Sequence, residues 1–289
     1  MTIRDNEERL GAAQQHVDSP ASSLPGNSAA DPLNFVVPTM HVELPSRGQY
    51  YAENHPLHNE DSVEIRFMTA KDEDTLTSPT LIKKMIVLDR FVQNVLLDQR
   101  IRAEDLLLGD KNAILIESRI SGYGQWYEVK VNCPSCGEEQ TEEYDLEECK
   151  QTVHGDEEEL EDVERLENGN YKLKLPKTGV ECEIRLLRGH DEKIIVANMN
   201  KKGKRKNESY DNLTQQLKLL LVSVADYKDQ KTIGYFVDNM PVLDARHLRA
   251  KYDKLNPNVE LRGAFECQNC DHEEDVEVPL TVNFFWPKQ

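Results

Sequence analysis

Positive charge is what this chain lacks most. Lysine and arginine number 35 against 53 aspartates and glutamates, a formal net charge of −18. Non-specific binding to a phosphate backbone needs clustered cations, so nucleic acid is not an expected partner. Proteins are expected instead, basic ones among them. The one dense basic run, Lys201-Lys202-Gly203-Lys204-Arg205-Lys206, reads as a solvated loop. Long apolar runs are missing too: no stretch approaches the roughly 18 residues of a membrane span. Met1-Thr2-Ile3-Arg4-Asp5-Asn6 puts charge where a signal peptide carries its apolar core. The expectation is a protein made and kept in a cytosol, with no membrane partner.

Catalytic signatures are also missing. The sequence holds no His-Glu-x-x-His, no phosphate-cradling Gly-rich Lys-Ser/Thr motif and no Gly-x-Ser-x-Gly. The histidines are scattered, and His55 and His58 fall in an expected loop with no carboxylate motif around them. No catalytic residue and no small-molecule substrate are expected. Cysteine is scarce, at six residues, and in a cytosol these are thiols or metal ligands rather than disulfides.

What the chain does have is an internal repeat. Glu64-Ile65-Arg66 followed by Asp72-Glu73 returns as Glu183-Ile184-Arg185 followed by Asp191-Glu192, an offset of 119. Asp110, Cys133, Cys136, Glu139 and Leu146 return as Asp244, Cys267, Cys270, Glu273 and Leu280, an offset of 134. The difference of 15 places an insertion in the second copy near Lys201 to Ser209. Leu44-Pro45-Ser46-Arg47-Gly48 echoes Leu175-Pro176-Lys177-Thr178-Gly179 ahead of each Glu-Ile-Arg. The repeat makes two distant cysteine pairs equivalent parts of one pseudo-symmetric object.

Local patterns give each copy the same element order. In the first, Ser62 to Met68 alternates as a strand. Ser78 and Pro79 open a helix carrying Leu81, Met85, Leu88, Val92 and Val95. A second helix runs from Asp110 to just before Gly122. Tyr127, Val129 and Val131 then alternate into Cys133, and Thr141 to Leu146 leads away, so the first pair sits at a hairpin tip. In the second copy Val180 to Leu186 reads as a strand, and Leu213, Leu217, Leu220 and Val224 as a helix. Ile233, Phe236, Val237 and Met240 mark a short helix. Asp244 caps another, with Leu248 and Tyr252 inward. Val259, Leu261 and Phe265 lead into Cys267, and Val276, Val278 and Leu280 lead out. The fold class is therefore α+β, an internal duplication of two similar lobes. Each has strands, a small helical bundle and a hairpin ending in a Cys-x-x-Cys zinc knuckle.

Four segments follow. Residues 1–35 form a disordered tail, 36–148 the first lobe, 149–169 an acidic linker containing Glu157-Glu158-Glu159-Leu160-Glu161-Asp162, and 170–289 the second lobe. Cys133, Cys136, Cys267 and Cys270 are the expected ligands of one structural zinc shared by both lobes. Alternatives stay open at this point: a half-site completed by His272, disulfides within the pairs, or a redox role. Cys149 and Cys182 have no repeat-matched partners and read as small apolar residues. Asp72-Glu73 and Asp191-Glu192 read as acids near a helix start, favoured by its dipole.

With these residues in place, the chain resembles the baseplate hub proteins of T-even-type contractile-tailed bacteriophages from about residue 40 onward. The likeness is carried by Leu44-Pro45-Ser46-Arg47-Gly48 with Tyr50-Tyr51, and by Ile65-Arg66-Phe67-Met68-Thr69-Ala70-Lys71-Asp72-Glu73-Asp74. Gly109-Asp110-Lys111-Asn112-Ala113, Ser118-Arg119-Ile120-Ser121-Gly122-Tyr123-Gly124, both cysteine pairs and Phe284-Phe285-Trp286-Pro287 add to it. The resemblance implies a non-enzymatic hub component or hub assembly factor, present in host cytoplasm during assembly and either kept in the virion tail baseplate or acting only during assembly. Its partners would be other baseplate hub and tail proteins. An alternative implied role is a tail assembly chaperone acting with the tape-measure protein. The aromatic end Phe284-Phe285-Trp286 is either an interface anchor or packed on its own lobe.

Overall fold

Alternating burial builds the first sheet. Thr39–Glu43 (β1) pairs antiparallel with Ser62–Arg66 (β2), Val42 opposite Val63 and Met40 opposite Ile65. Val42, Val63 and Ile65 are buried while their neighbours face outward, the period of two that a half-buried strand requires. This computed structural model describes residues 37–84, 86–155, 160, 162–202, 211–279 and 282–285. The expected tail over residues 1–35, the basic run from Gly203 to Lys206 and Trp286-Pro287 lie outside the described residues.

Four helices follow, and their bounds differ from the sequence expectation. Ala70–Leu76 (α1) carries Asp72 and Glu73 in its first turn, as expected of acids near a helix start; Thr69 opens it, with the Asp72 carboxylate accepting from its amide at 2.9 Å and its hydroxyl at 2.8 Å. The single helix expected from Ser78 to Val95 is two, Pro79–Lys83 (α2) and Val87–Val95 (α3). Met85 lies outside the described residues, and Ile86 leaves helical geometry at φ −118°, ψ 9°. The break lets α3 turn Asp89, Phe91, Val92 and Val95 inward, so tertiary packing overrides the local period. The helix expected from Asp110 to Gly122 is longer at both ends, Leu108–Tyr123 (α4), closed by Gly124 at φ +86°. Asp110 sits in its first turn rather than at its cap. Gly122 belongs inside it, because a Cβ there would lie 2.7 Å from the Met68 sulfur.

Trp126–Asn132 (β3) and Glu139–Asp145 (β4) form the first cysteine-tipped hairpin, with Tyr127, Val129 and Val131 buried on one face. Leu146–Cys149 (α5) leads to Lys150–Val153 (β5), and Val163–Arg165 (β6), Tyr171–Lys174 (β7) and Glu181–Ile184 (β8) follow. The stretch 149–169 thus carries two strands, and its Leu160 is buried. Gly189–Lys202 (α6) and Asp211–Leu220 (α7) come next. Val224, expected on a helix, stands on Leu221–Val224 (β9) opposite Cys182. There it completes an antiparallel sheet in the order β6-β7-β8-β9. Gln230–Asn239 (α8) is the expected short helix. Val242–Leu255 (α9) starts two residues before Asp244 and buries Leu248 and Tyr252. Asn258–Glu266 (β10) and Glu273–Glu277 (β11) form the second cysteine-tipped hairpin, and β5 pairs with the other edge of β10.

The two halves use similar contacts at corresponding places. Arg66 grips Asp72 at 2.6 Å, and Arg185 grips Asp191 at 2.6 Å. Asp110 accepts from the Ser46 amide at 3.0 Å, its hydroxyl at 2.6 Å and the Tyr51 hydroxyl at 2.7 Å. Asp244 accepts from the Lys177 and Thr178 amides at 2.7 and 3.0 Å. In each half a first-turn helix acid therefore holds the Leu-Pro-x-x-Gly turn, whose Gly48 and Gly179 both sit at φ +68°. Residues Val37–Gln289 form one compact unit.

Backbone hydrogen bonds also join the halves. Leu108 donates to Leu187, Gly189 to Leu106 and His190 to Glu104. Beside them Lys111, buried in α4, bridges Asp89 at 2.8 Å and Glu192 at 2.5 Å. Lys193 bridges Asp89 at 3.2 Å and Glu104 at 3.1 Å. Phe284 and Phe285 pack back: Phe284 meets Tyr127 edge-on at 5.3 Å and Phe285 meets Phe91 at 5.4 Å, both buried.

Candidate metal centre

The site begins with two hairpins of the same build. In the first, the Cys133 amide donates to Glu138 at 2.8 Å and the Gly137 amide to the Cys133 carbonyl at 2.9 Å. In the second, the Cys267 amide donates to His272 at 2.9 Å and the Asp271 amide to the Cys267 carbonyl at 3.0 Å. Each turn needs a residue with positive φ after its second cysteine. Gly137 supplies it at +77° and Asp271 at +51°, aspartate being among the side chains that tolerate this region.

Those turns bring the four sulfurs together. The ligand atoms of Cys133, Cys136, Cys267 and Cys270 lie within 4.8 Å of one another and could hold a metal ion. Two close approaches cross between hairpins: Cys133 to Cys270 at 3.7 Å and Cys136 to Cys267 at 3.6 Å. A disulfide needs about 2.05 Å, whereas edges of a tetrahedron with 2.3 Å metal–sulfur bonds measure about 3.8 Å. The donor set and its dimensions therefore fit a four-coordinate metal. Cys133 and Cys267 are buried and Cys136 and Cys270 exposed, the same order in each pair.

The electrostatics point the same way. The Glu138 amide, the Asn269 side chain at 3.7 Å and neighbouring thiols hold the Cys136 thiol down to about 6. The His272 amide favours ionisation of Cys270, but desolvation and the three neighbouring sulfurs outweigh it and push that thiol up to about 12. Four thiols this close cannot all ionise without a cation among them.

The His272 ring faces Glu274 at 3.1 Å and is not among the grouped ligands. Neither cysteine pair stands at a helix N-terminus, as both turns join strands. Cys149 and Cys182 are buried among apolar residues, and burial raises both thiols, Cys182 to about 12. His55 stacks on Tyr51 at 4.5 Å and His58 bonds the Tyr51 carbonyl, so both brace a loop. Asp72 and Asp191 are 1% exposed and gripped by arginine, a more specific role than dipole compensation.

Sequence reasoning missed two features. One is the ion network around Lys111, for which Asp89 on the apolar face of α3 was the visible signal. The other is Arg119, buried on α4, whose guanidinium donates to Phe284 at 2.7 Å, Gly124 at 2.6 Å and Trp126 at 3.0 Å.

No curated protein and no solved structure matches this chain. Among the described residues, no helix is long and apolar enough to cross a membrane. The family described as T4 bacteriophage base plate protein matches residues 37–286, which is nearly the whole described body, and the chain belongs to that family of phage baseplate proteins.

Proposed function

We propose that this protein is a component or assembly factor of the baseplate hub, working through protein contacts rather than catalysis and stabilised by one structural zinc. Cys133, Cys136, Cys267 and Cys270 would hold the ion as thiolates. The observation that carries the reading is the convergence of four sulfurs from two distant hairpins in a chain of the baseplate family. Four protein thiolates leave zinc no open position for substrate or water. Closing the 130 residues between Cys136 and Cys267 costs about 4 kcal/mol by the logarithmic loop law. A structural zinc contributes about 10–16 kcal/mol in apparent terms. The metal can therefore hold the two hairpins at one fixed angle and pre-organise a surface for other tail proteins.

The duplication belongs to this proposal. Its support is the pairing of Arg66–Asp72 with Arg185–Asp191, of Asp110 with Asp244, and of one cysteine turn with the other. On this reading residues 36–148 and 170–289 are two copies of one lobe, and 149–169 joins them. Mass spectrometry of purified virions beside infected-cell lysate tests the role. Presence in virions at fixed stoichiometry supports a hub component. Presence in lysate alone supports an assembly factor or a chaperone attending the tape-measure protein. Zinc measured in the purified chain tests the metal.

A further inference from the structure

A groove of about 570 Å³ runs between β3 and β11, next to the cysteine turns. Val131, Pro134, Val276 and Pro279 supply the apolar part of its lining, beside six polar or charged residues. Both strands that border it are sheet edges: among the described residues, β3 pairs only with β4, and β11 only with β10.

The register fixes which backbone groups face outward on β11. The His272 carbonyl accepts from Cys267, and the Val278 amide donates to Leu261. The alternation of antiparallel pairs then turns the N–H and C=O of Glu273, Asp275 and Glu277 away from β10. Among the described residues, no hydrogen bond reaches those groups on that edge. The side chains there are acidic, and their nearby cations are already engaged: Lys130 with Glu139, and Arg262 with Glu260 at 3.1 Å. Asp275 and Glu277 carry no ion pair among the described residues.

An open edge invites an added strand, and its charge selects which one. A second copy of β11 would set like charges opposite each other, which is unfavourable. We propose that the groove receives an extended segment of a partner protein, added as a strand on β11 and carrying cationic side chains at alternate positions. The cations meet Asp275 and Glu277, and the apolar residues between them meet Val131 and Val276. The inference rests on the proposed role only in taking the partner to be a protein.

The test uses the full chain and a short fluorescent peptide alternating lysine and valine, followed by anisotropy. The wild-type chain is expected to bind it. Binding should weaken at least tenfold when the peptide's edge-facing amides are N-methylated, and at least tenfold for the double variant Asp275→Lys, Glu277→Lys. The matched charge change Glu142→Lys, Glu143→Lys on β4 should leave binding within a few-fold. Zinc content read on each variant separates damage at the cysteine turns from loss of the edge. The peptide arms on the unaltered chain remain decisive if a variant does not fold. Absence of binding, equal binding of the N-methylated peptide, or a concentration-dependent dimer broken by the peptide would each overturn the proposal. None of these outcomes depends on whether the protein is found in virions.

Discussion

The Cys133 sulfur lies 3.7 Å from that of Cys270, 137 residues away along the chain, too far for a disulfide and close enough to share one metal ion. If a metal occupies that junction, the four clustered cysteines must behave as one unit. Replacing any one of Cys133, Cys136, Cys267 or Cys270 by serine should release the metal. It should also lower Tm by roughly 20 °C or more, given about 10 kcal/mol from a structural zinc and about 2 °C per kcal/mol in a large chain. Cys149→Ser and Cys182→Ser should retain the metal in full. Metal analysis and thermal melts on the six variants check this.

The arginine–aspartate grips make a second prediction. Removing one partner of a buried pair leaves an uncompensated charge, so Arg66→Met or Arg185→Met should cost about 3 kcal/mol in urea unfolding. Methionine keeps most of the stem's packing.

A pH dependence follows for Asp72. Burial alone would raise its carboxyl, but hydrogen bonds from Arg66 and Thr69 outweigh that and hold it below the ordinary 3.8. A depressed folded pKa contributes stability that is full above the unfolded value, about 3.9, and is lost as pH falls through the folded one. Wild-type stability should therefore fall below about pH 4. Asp72→Asn should lose that contribution at neutral pH and show a shallower acid limb in denaturation followed by circular dichroism.

Gly109 tests the junction of α4 with the start of β10. A Cβ there would lie 1.9 Å from the Pro257 carbonyl oxygen, which is backbone and cannot rotate away. Gly109→Ala should cost about 3 kcal/mol. By contrast, Gly169→Ala, which meets nothing within 4 Å, should suffer only from its φ of +79°.

Arg119 spans three carbonyls with a planar fork that an ammonium cannot reproduce. Arg119→Lys should cost about 2 kcal/mol, since buried acceptors lose their donors. Hydrogen exchange should show protection lost first around Phe284 and Trp126.

The parts legible in sequence were those set by short-range alternation or by repetition. Tyr127, Val129 and Val131 announced their strand, and the offset of 134 paired the cysteine turns before any coordinates did. The parts that were not legible depend on distant partners. The spacing of Leu81, Met85 and Leu88 reads as one helix, whereas the break before α3 turns Asp89, Phe91, Val92 and Val95 inward, with Asp89 meeting Lys111. Asp110 reads as a helix start and Asp244 as a cap because acids favour helix starts. Their real work, holding the two Leu-Pro-x-x-Gly turns, needs residues more than sixty positions away. Val224 carried a helix-compatible spacing and joined a strand because Cys182 offered it an edge.

The claim on which the account turns is that sulfurs from both halves of the chain grip one ion. X-ray absorption at the zinc edge of the purified protein, with metal stoichiometry, tests it directly. One zinc per chain with four sulfur neighbours at about 2.3 Å is the expected result. A metal-free chain, or a zinc with fewer than four sulfurs and light-atom ligands in their place, would contradict it.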